Sequence, residues 1–258
     1  MHDPDRYRPT ERFGDRVEEY RRYRPGYPPA LTRWLIDCAG LGKGNRVADL
    51  GSGSGLLTRD LLAAGLQVCA VEPNAAMRVA AEADLGHLPG FLSVDGTAEA
   101  TGLPKASVRL ATAAQAYHWF VPDRARAEAL RVLEPGGHAA LIWNVRRLQT
   151  RFAQDYEALL NALCPDYAAG QPHQASTGEI GLFFGDRVPA TAAFDYVQQL
   201  DFEGLRGRLL SSSYTPKAED PARETLVSVL RELFDRHQQN GSISFEYDTR
   251  AWIAKMKN

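Results

Sequence analysis

The sequence predicts a doubly wound α/β fold, a mostly parallel sheet with helices on both faces. Three observations predict it. Short apolar segments alternate with segments of helical spacing along much of the chain. A glycine-rich turn, Gly51-Ser-Gly-Ser-Gly55, closes the first apolar segment and opens a helix. The chain has 258 residues, long enough for one large α/β domain with a cover. Strands alternating with helices imply βαβ units, and sheets of that kind bind ligands beyond the carboxyl ends of their strands.

Each element follows from local pattern. Residues 11–23 read as a helix, ended by Pro25-Gly-Tyr-Pro-Pro29. A second helix over 29–40 carries Leu31, Trp34, Leu35 and Cys38 at helical spacing. Arg46–Leu50 is a short apolar strand, Leu56–Leu62 a helix, Leu66–Val71 a strand and Ala75–Ala83 a helix. Phe91–Val94, Val108–Thr112 and His138–Trp143 are further strands. A helix over Asp123–Leu133 stops at Glu134-Pro-Gly-Gly137. Residues 146–190 interrupt the alternation with a helix carrying Phe152, Tyr156, Leu159 and Leu163, then a loop up to Gly185. After it come a strand near 194–201, a turn ending in Ser211-Ser-Ser-Tyr214, a helix over 218–239 and a strand near 242–247. The expected division of the single domain is a helical cover (1–40), a cofactor-binding core (41–145), a cap insertion (146–190) and the C-terminal part of the sheet (191–258).

Composition narrows the function. The net charge is -2, so no excess of positive charge points to nucleic acid. The arginines of the N-terminal stretch, Arg6 to Arg24, are interleaved with acids and read as a salt-bridged helix surface. No apolar run is long enough to span a bilayer, and Met1–Pro9 lacks the apolar segment of a signal peptide. Cys38, Cys69 and Cys164 form neither a disulfide framework nor a zinc motif. The expectation is a cytoplasmic protein without membrane partners. No compelling set of oxygen ligands stands out, so no metal is expected.

The glycine turn carries the functional signal. Bare main chain there lets a ligand approach closely, and the amides at a helix N-terminus favour a carboxylate or phosphate. A dinucleotide fingerprint wants glycine at the sixth position; here that residue is Leu56, and the spacing is G-x-G-x-G. No Gly-Lys-Ser/Thr closes the loop, which excludes a P-loop. Asp49 precedes the turn. Its charge would repel a pyrophosphate but favours a ligand bearing an ammonium and a sulfonium. Glu72, 21 residues after Gly51, ends the second strand, where a carboxylate can accept both ribose hydroxyls. That spacing alone fits NAD and S-adenosylmethionine equally.

These residues resemble the class I S-adenosylmethionine-dependent methyltransferases, and more narrowly the UbiE/trans-aconitate-methyltransferase-like small-molecule group. The matching segments are YRRYRPGYP at 20–28, VADLGSGSGLLT at 47–58, VEPN at 71–74, GTAEATGLP at 96–104, AQAYHWF at 114–120 and LEPGG at 133–137. The resemblance implies a seven-stranded Rossmann-like methyltransferase fold and S-adenosylmethionine as cofactor. It implies that Gly51, Gly53 and Gly55 lie along the methionyl part, with Asp49 facing the ammonium. Glu72 would hold the ribose, and Pro73 and Met77 would pack near the adenine, flanked by Thr97 and Ala98. Gln115 would lie at the methionyl end. Tyr20 and Arg24 would belong to a helix over the cofactor, Arg24 facing its carboxylate. Many relatives have an acid where Thr97 stands, so the adenine contact departs from the pattern.

The implied reaction is methyl transfer to O, N or C of a small organic acceptor bound under the cap. His118, after the fourth strand, is the candidate general base, because imidazole titrates near neutral pH; the surrounding Tyr117, Trp119 and Phe120 equally suit a packing role. Two rivals keep the same loop: an NAD-linked oxidoreductase, opposed by Leu56 and Asp49, and a non-catalytic S-adenosylmethionine-binding module.

Overall fold

The order of strands in the sheet is β3-β2-β1-β4-β5-β7-β6, seen in a computed structural model that describes residues 17–169 and 177–257. The first half of the chain alternates as expected. Helices α1 (Val17–Tyr23) and α2 (Pro29–Ala39) precede β1 (Arg46–Leu50), α3 (Leu56–Ala63), β2 (Gln67–Val71), α4 (Ala75–Leu85), β3 (Phe91–Val94) and β4 (Val108–Ala114). Then come α5 (Pro122–Val132) and β5 (Leu133–Arg146). Strands β1 to β5 pair in parallel. The expected helix start at 11–16, and Arg6 to Arg16 with it, lie outside the described residues.

Local chemistry sets these boundaries. Pro29 occupies the first turn of α2, where its missing N–H costs nothing, and Gly40 ends that helix in the left-handed conformation. Asn74 caps α4, its side chain accepting from the Met77 amide. Glu134-Pro-Gly-Gly137 does stop α5, and its four residues bulge out of the ladder between the pairs Val108–Leu133 and Leu110–His138.

Two apolar layers enclose the sheet. One face buries Leu50, Val71, Ala113, Leu141 and Trp143 against α5. The other buries Val47, Val68, Leu110 and Ile142 against α2 and α3 through Leu31, Leu35, Leu57 and Leu61. With both faces covered, the central strands read as continuous apolar runs.

The second half is more helical than its sequence suggested. After α6 (Arg151–Leu163), the stretch expected as loop holds two helices, α7 (Pro165–Ala169) and α8 (Thr177–Phe184). α8 packs on α5 and buries Phe183 and Phe184 in the first layer. β6 (Ala190–Leu200) follows. The expected turn up to Tyr214 is mostly a helix, α9 (Phe202–Leu210), capped by Asp201. Then come α10 (Ala222–His237) and β7 (Ile243–Lys255), which runs eight residues beyond the expected end at 247. β7 pairs antiparallel with both β5 and β6, completing the sheet. A third apolar cluster joins α6, α9 and α10 over Phe245 and Tyr247. The material over the sheet's carboxyl edge is therefore drawn from both sides of β6.

α1 is held in place by α9. A Cβ on Gly207 would lie 2.0 Å from the Tyr23 ring, so only glycine allows the approach. Alanine favours a helix over glycine by about 1 kcal/mol. The clash should outweigh this, since overpacking costs about 1–3 kcal/mol. Gly207→Ala should lower stability in urea and raise amide exchange across residues 17–24. Unchanged exchange there would contradict the docking of α1 on α9.

Candidate functional site

The carboxyl ends of β1, β2 and β4 converge on the glycine turn. Gly51 and Ser52 both donate backbone N–H to the Val71 carbonyl at 2.8 and 3.2 Å, which ties the turn to the end of β2. Gly51 has φ +65°, and a Cβ on it would lie 2.7 Å from the Ala116 Cβ. The segment after β4 therefore presses directly on the turn. Gly53, at φ +56°, faces Tyr20, whose ring atom Cε1 would lie 3.8 Å from an added Cβ. Gly55 faces the other way: its Cβ would meet Leu85 of α4 at 2.5 Å. The C-terminal end of α4 packs against that glycine.

Glu72 is buried at the end of β2. Its Oε2 accepts the Gly53 amide at 2.9 Å and its Oε1 the Asn74 amide at 2.9 Å. Arg78 Nη1 donates to the Glu72 carbonyl at 2.8 Å, and Arg78 also pairs with Asp95 at 2.9 Å. Burial pushes the Glu72 carboxyl up, opposed by the two amides and Arg78.

Asp49 lies beneath the turn, 1% exposed. Its Oδ2 accepts from the Thr58 hydroxyl at 2.7 Å and its Oδ1 from Thr112 at 2.9 Å. Each oxygen keeps a second acceptor direction. Burial raises the carboxyl to about 6, against the pull of both threonines.

The remaining predicted residues surround this centre unevenly. Pro73 is half-buried and Met77 is buried on α4. Ala98 is buried beside Leu50 and Val71 in the first layer. Thr97 is exposed, and its hydroxyl accepts the Ala100 amide at 3.2 Å. Gln115 sits at φ +56° immediately after β4, a strained conformation for a non-glycine residue. Its Nε2 donates to the Asn144 carbonyl at 3.1 Å. Asn144 in turn donates to the Gly26 carbonyl at 2.9 Å and accepts from Thr249 at 2.6 Å, fastening the N-terminal cover to the sheet edge. His118 lies in the single turn Tyr117–Trp119, its ring 4.8 Å from that of Trp119. Tyr117 is buried and donates to the Glu179 carbonyl of α8 at 3.0 Å.

Arg24 is stacked over Tyr20, 5.1 Å from the ring centroid. Its Nη2 donates to the Ser211 carbonyl at 3.1 Å, while its buried Nε has no acceptor among the described residues. The Ser54 hydroxyl, in the glycine turn, is likewise buried without a partner. These two unspent polar groups and the open main chain of Gly53 suit a ligand bearing polar groups of both signs. Among the described residues, no group of three or more His, Cys, Asp or Glu side chains could hold a metal ion. Nor is any described helix long and apolar enough to cross a membrane.

The sequence pattern missed Thr58, Thr112, Arg78 and Asn144. Thr58 falls one turn into α3 and Arg78 one turn into α4, positions from which a side chain can reach back to the preceding loop. Nothing in the spacing marks Thr112 or Asn144.

Comparison with known proteins finds similar sequences and folds. Residues 48–141 match the family described as "Methyltransferase domain". An uncharacterized methyltransferase of Mycobacterium tuberculosis H37Rv is 44% identical over 134 residues, 52% of this chain and 52% of that protein. The chain thus aligns with about half the length of that relative. A methyltransferase-like protein of Schizosaccharomyces pombe is 28% identical over 249 residues, 94% of both chains. A solved structure from Anaeromyxobacter dehalogenans, ascribed to a type II methyltransferase, has 25% identity and a TM-score of 0.67, covering 91% of this chain and 99% of its own. The sheet order and flanking helices match a Rossmann-like methyltransferase fold, and residues 48–141 carry the match to a methyltransferase domain.

The buried Asp49 has a consequence for stability. Its folded value of about 6 lies above the ordinary 3.8. The folded chain therefore keeps a proton that the unfolded chain releases between those values. The stabilisation is complete below about pH 4 and is lost as pH rises through about 6. Asp49→Asn cannot ionise, so its stability relative to wild type should rise by about 2 kcal/mol from pH 4 to pH 7 in urea unfolding. A constant difference across that range would contradict the burial of a titrating carboxyl.

Proposed function

We propose that this chain transfers a methyl group from S-adenosylmethionine to O, N or C of a small organic acceptor, as an enzyme of the UbiE/trans-aconitate-methyltransferase-like kind. The observation that carries the reading is the G-x-G-x-G turn joined to Glu72 through the Gly53 amide at 2.9 Å. It sits at the carboxyl edge of the parallel sheet, where such folds bind ligands.

In this reading Glu72 holds the ribose hydroxyls, and Gly51 and Gly53 leave main chain open to the methionyl part. Gly55 supports the turn from behind. Asp49 supplies negative charge beneath the ammonium. Arg24, with its unspent Nε, receives the carboxylate, and Tyr20 covers Gly53. Pro73, Met77, Thr97 and Ala98 border the adenine, while Gln115 closes the methionyl end. The bound cofactor supplies an electrophilic methyl on a sulfonium. The chain's own task is then to orient the acceptor, exclude water and, where the nucleophile is protonated, remove its proton. In this reading His118, on the turn after β4, takes that proton.

The direct test is incubation with methyl-labelled S-adenosylmethionine and a panel of carboxylic acids, phenols and amines. Label in an acceptor, with matching S-adenosylhomocysteine, is the expected result. Binding without transfer to any acceptor would favour a non-catalytic module.

Two variants test the assignments. Hydrogen bonds to a charged group are worth about 1.5–3 kcal/mol each. Glu72→Ala should therefore weaken S-adenosylhomocysteine binding about 10- to 100-fold by calorimetry, and unchanged affinity would remove the ribose role. His118→Ala should slow turnover by about two to four decades with cofactor affinity intact. A fully active variant would exclude His118 as base.

A further inference from the structure

Behind Tyr20 the interior holds three arginines that share their surroundings. Arg24 Nη2 and Arg208 Nη1 both lie 3.4 Å from the Ser212 hydroxyl. Arg208, on α9, is only 7% exposed. Its Nε donates to the Tyr247 hydroxyl at 3.2 Å, and its guanidinium lies over Phe245. Arg146 ends β5, opposite Tyr247 in the ladder, and lies over Tyr156. The cluster thus occupies the carboxyl edge of the sheet, under α6 and α9, reached from the glycine turn through Tyr20 and Arg24.

The charges do not balance. Arg146 is paired with Glu157 at 2.7 Å. Neither Arg24 nor Arg208 meets a carboxylate among the described residues. Burial, and then Arg208 beside it, push the Arg24 guanidinium below its ordinary value. Burial also works against the Arg208 charge, but the phenol oxygens of Tyr247, Tyr214 and Tyr156 outweigh it. A buried cation without an anion is costly unless something supplies the missing charge. In the reading proposed above, the cofactor brings one carboxylate, which Arg24 receives. One guanidinium is left over.

We propose that Arg208 is the acceptor-recognising group of this site and that the acceptor carries an oxyanion, a carboxylate or a phosphate, beside an apolar body. A guanidinium presents paired N–H donors that match either oxyanion in a two-point contact. The Phe245, Tyr156 and Tyr247 rings supply the apolar wall. The inference rests on the methyl-transfer reading. Arg208 touches the acceptor through this group and takes no part in bond breaking.

The test uses the full chain saturated with S-adenosylhomocysteine and three probes: phenylacetate, phenyl phosphate and the neutral phenylacetamide. Calorimetry should find at least one anion bound about tenfold or more tightly than the amide. The stronger of the two anions identifies the source chemistry. Arg208→Gln should abolish that preference while leaving S-adenosylhomocysteine affinity within about twofold, and Arg208→Lys should keep part of it. The melting temperature of unliganded Arg208→Met should equal or exceed that of wild type, because an unbalanced buried charge is removed. Equal binding of anions and amide, no anion binding at millimolar concentration, or a preference that survives in Arg208→Gln would overturn the proposal. Failure of the methyl-transfer reading would look different: no S-adenosylhomocysteine binding at all, with the anion arm still readable on the unliganded chain.

Discussion

The Glu72 carboxylate joins the turn after β1 to the turn after β2, one oxygen on the Gly53 amide and the other on Asn74. Most of the site depends on that contact. It fixes the open main chain of the glycine turn at the carboxyl edge of the sheet. It also holds a negative charge beside it, opposed among the described residues by two amides and Arg78. Asp49 repeats the arrangement one layer deeper, with two threonine hydroxyls in place of amides. Two buried acids thus lie beneath a turn that in nucleotide-phosphate folds would face an anion. That charge pattern supports the proposed reading of a ligand bearing positive charge rather than a phosphate.

The cover has the opposite sign. Arg24 and Arg208 lie within reach of one serine hydroxyl, and the N-terminal segment that brings Arg24 there is held by Gly207 beneath Tyr23 and by Asn144 on the Gly26 carbonyl. Buried acids thus lie by the glycine turn and guanidiniums by the cover. In the proposed reading an amino-acid moiety would lie with its ammonium toward Asp49 and its carboxylate toward Arg24. Packing and electrostatics therefore support the same placement.

Much of the core was legible because its signals are local. β1 and β3 match their expected limits, since apolar runs there are cut by glycines and prolines. The positions of the glycine turn and Glu72 at the ends of β1 and β2 were legible because such turns follow fixed spacing. The second half hid its structure for physical reasons. α9 buries Gly204, Leu205, Gly207, Arg208, Leu209 and Leu210 together, so it shows no amphipathic stripe, and its glycines read as a turn. The end of β7 begins with Asp248-Thr-Arg250, which looks like a loop until β5 and β6 flank it. The burial of Arg208 was invisible because a mid-helix arginine ordinarily faces water. The packing of Leu85 against Gly55 is a constraint that only the fold reveals.

The central claim is that the Gly51–Gly55 turn and Glu72 receive the nucleoside and amino-acid ends of a methyl-transfer cofactor. The most direct measurement is a crystal structure of the full chain with S-adenosylhomocysteine. The account predicts the ligand along the carboxyl ends of β1 and β2, its ribose hydroxyls bonded to Glu72 and its carboxylate on Arg24. A ligand bound elsewhere, or one whose ribose faces away from Glu72, would contradict it.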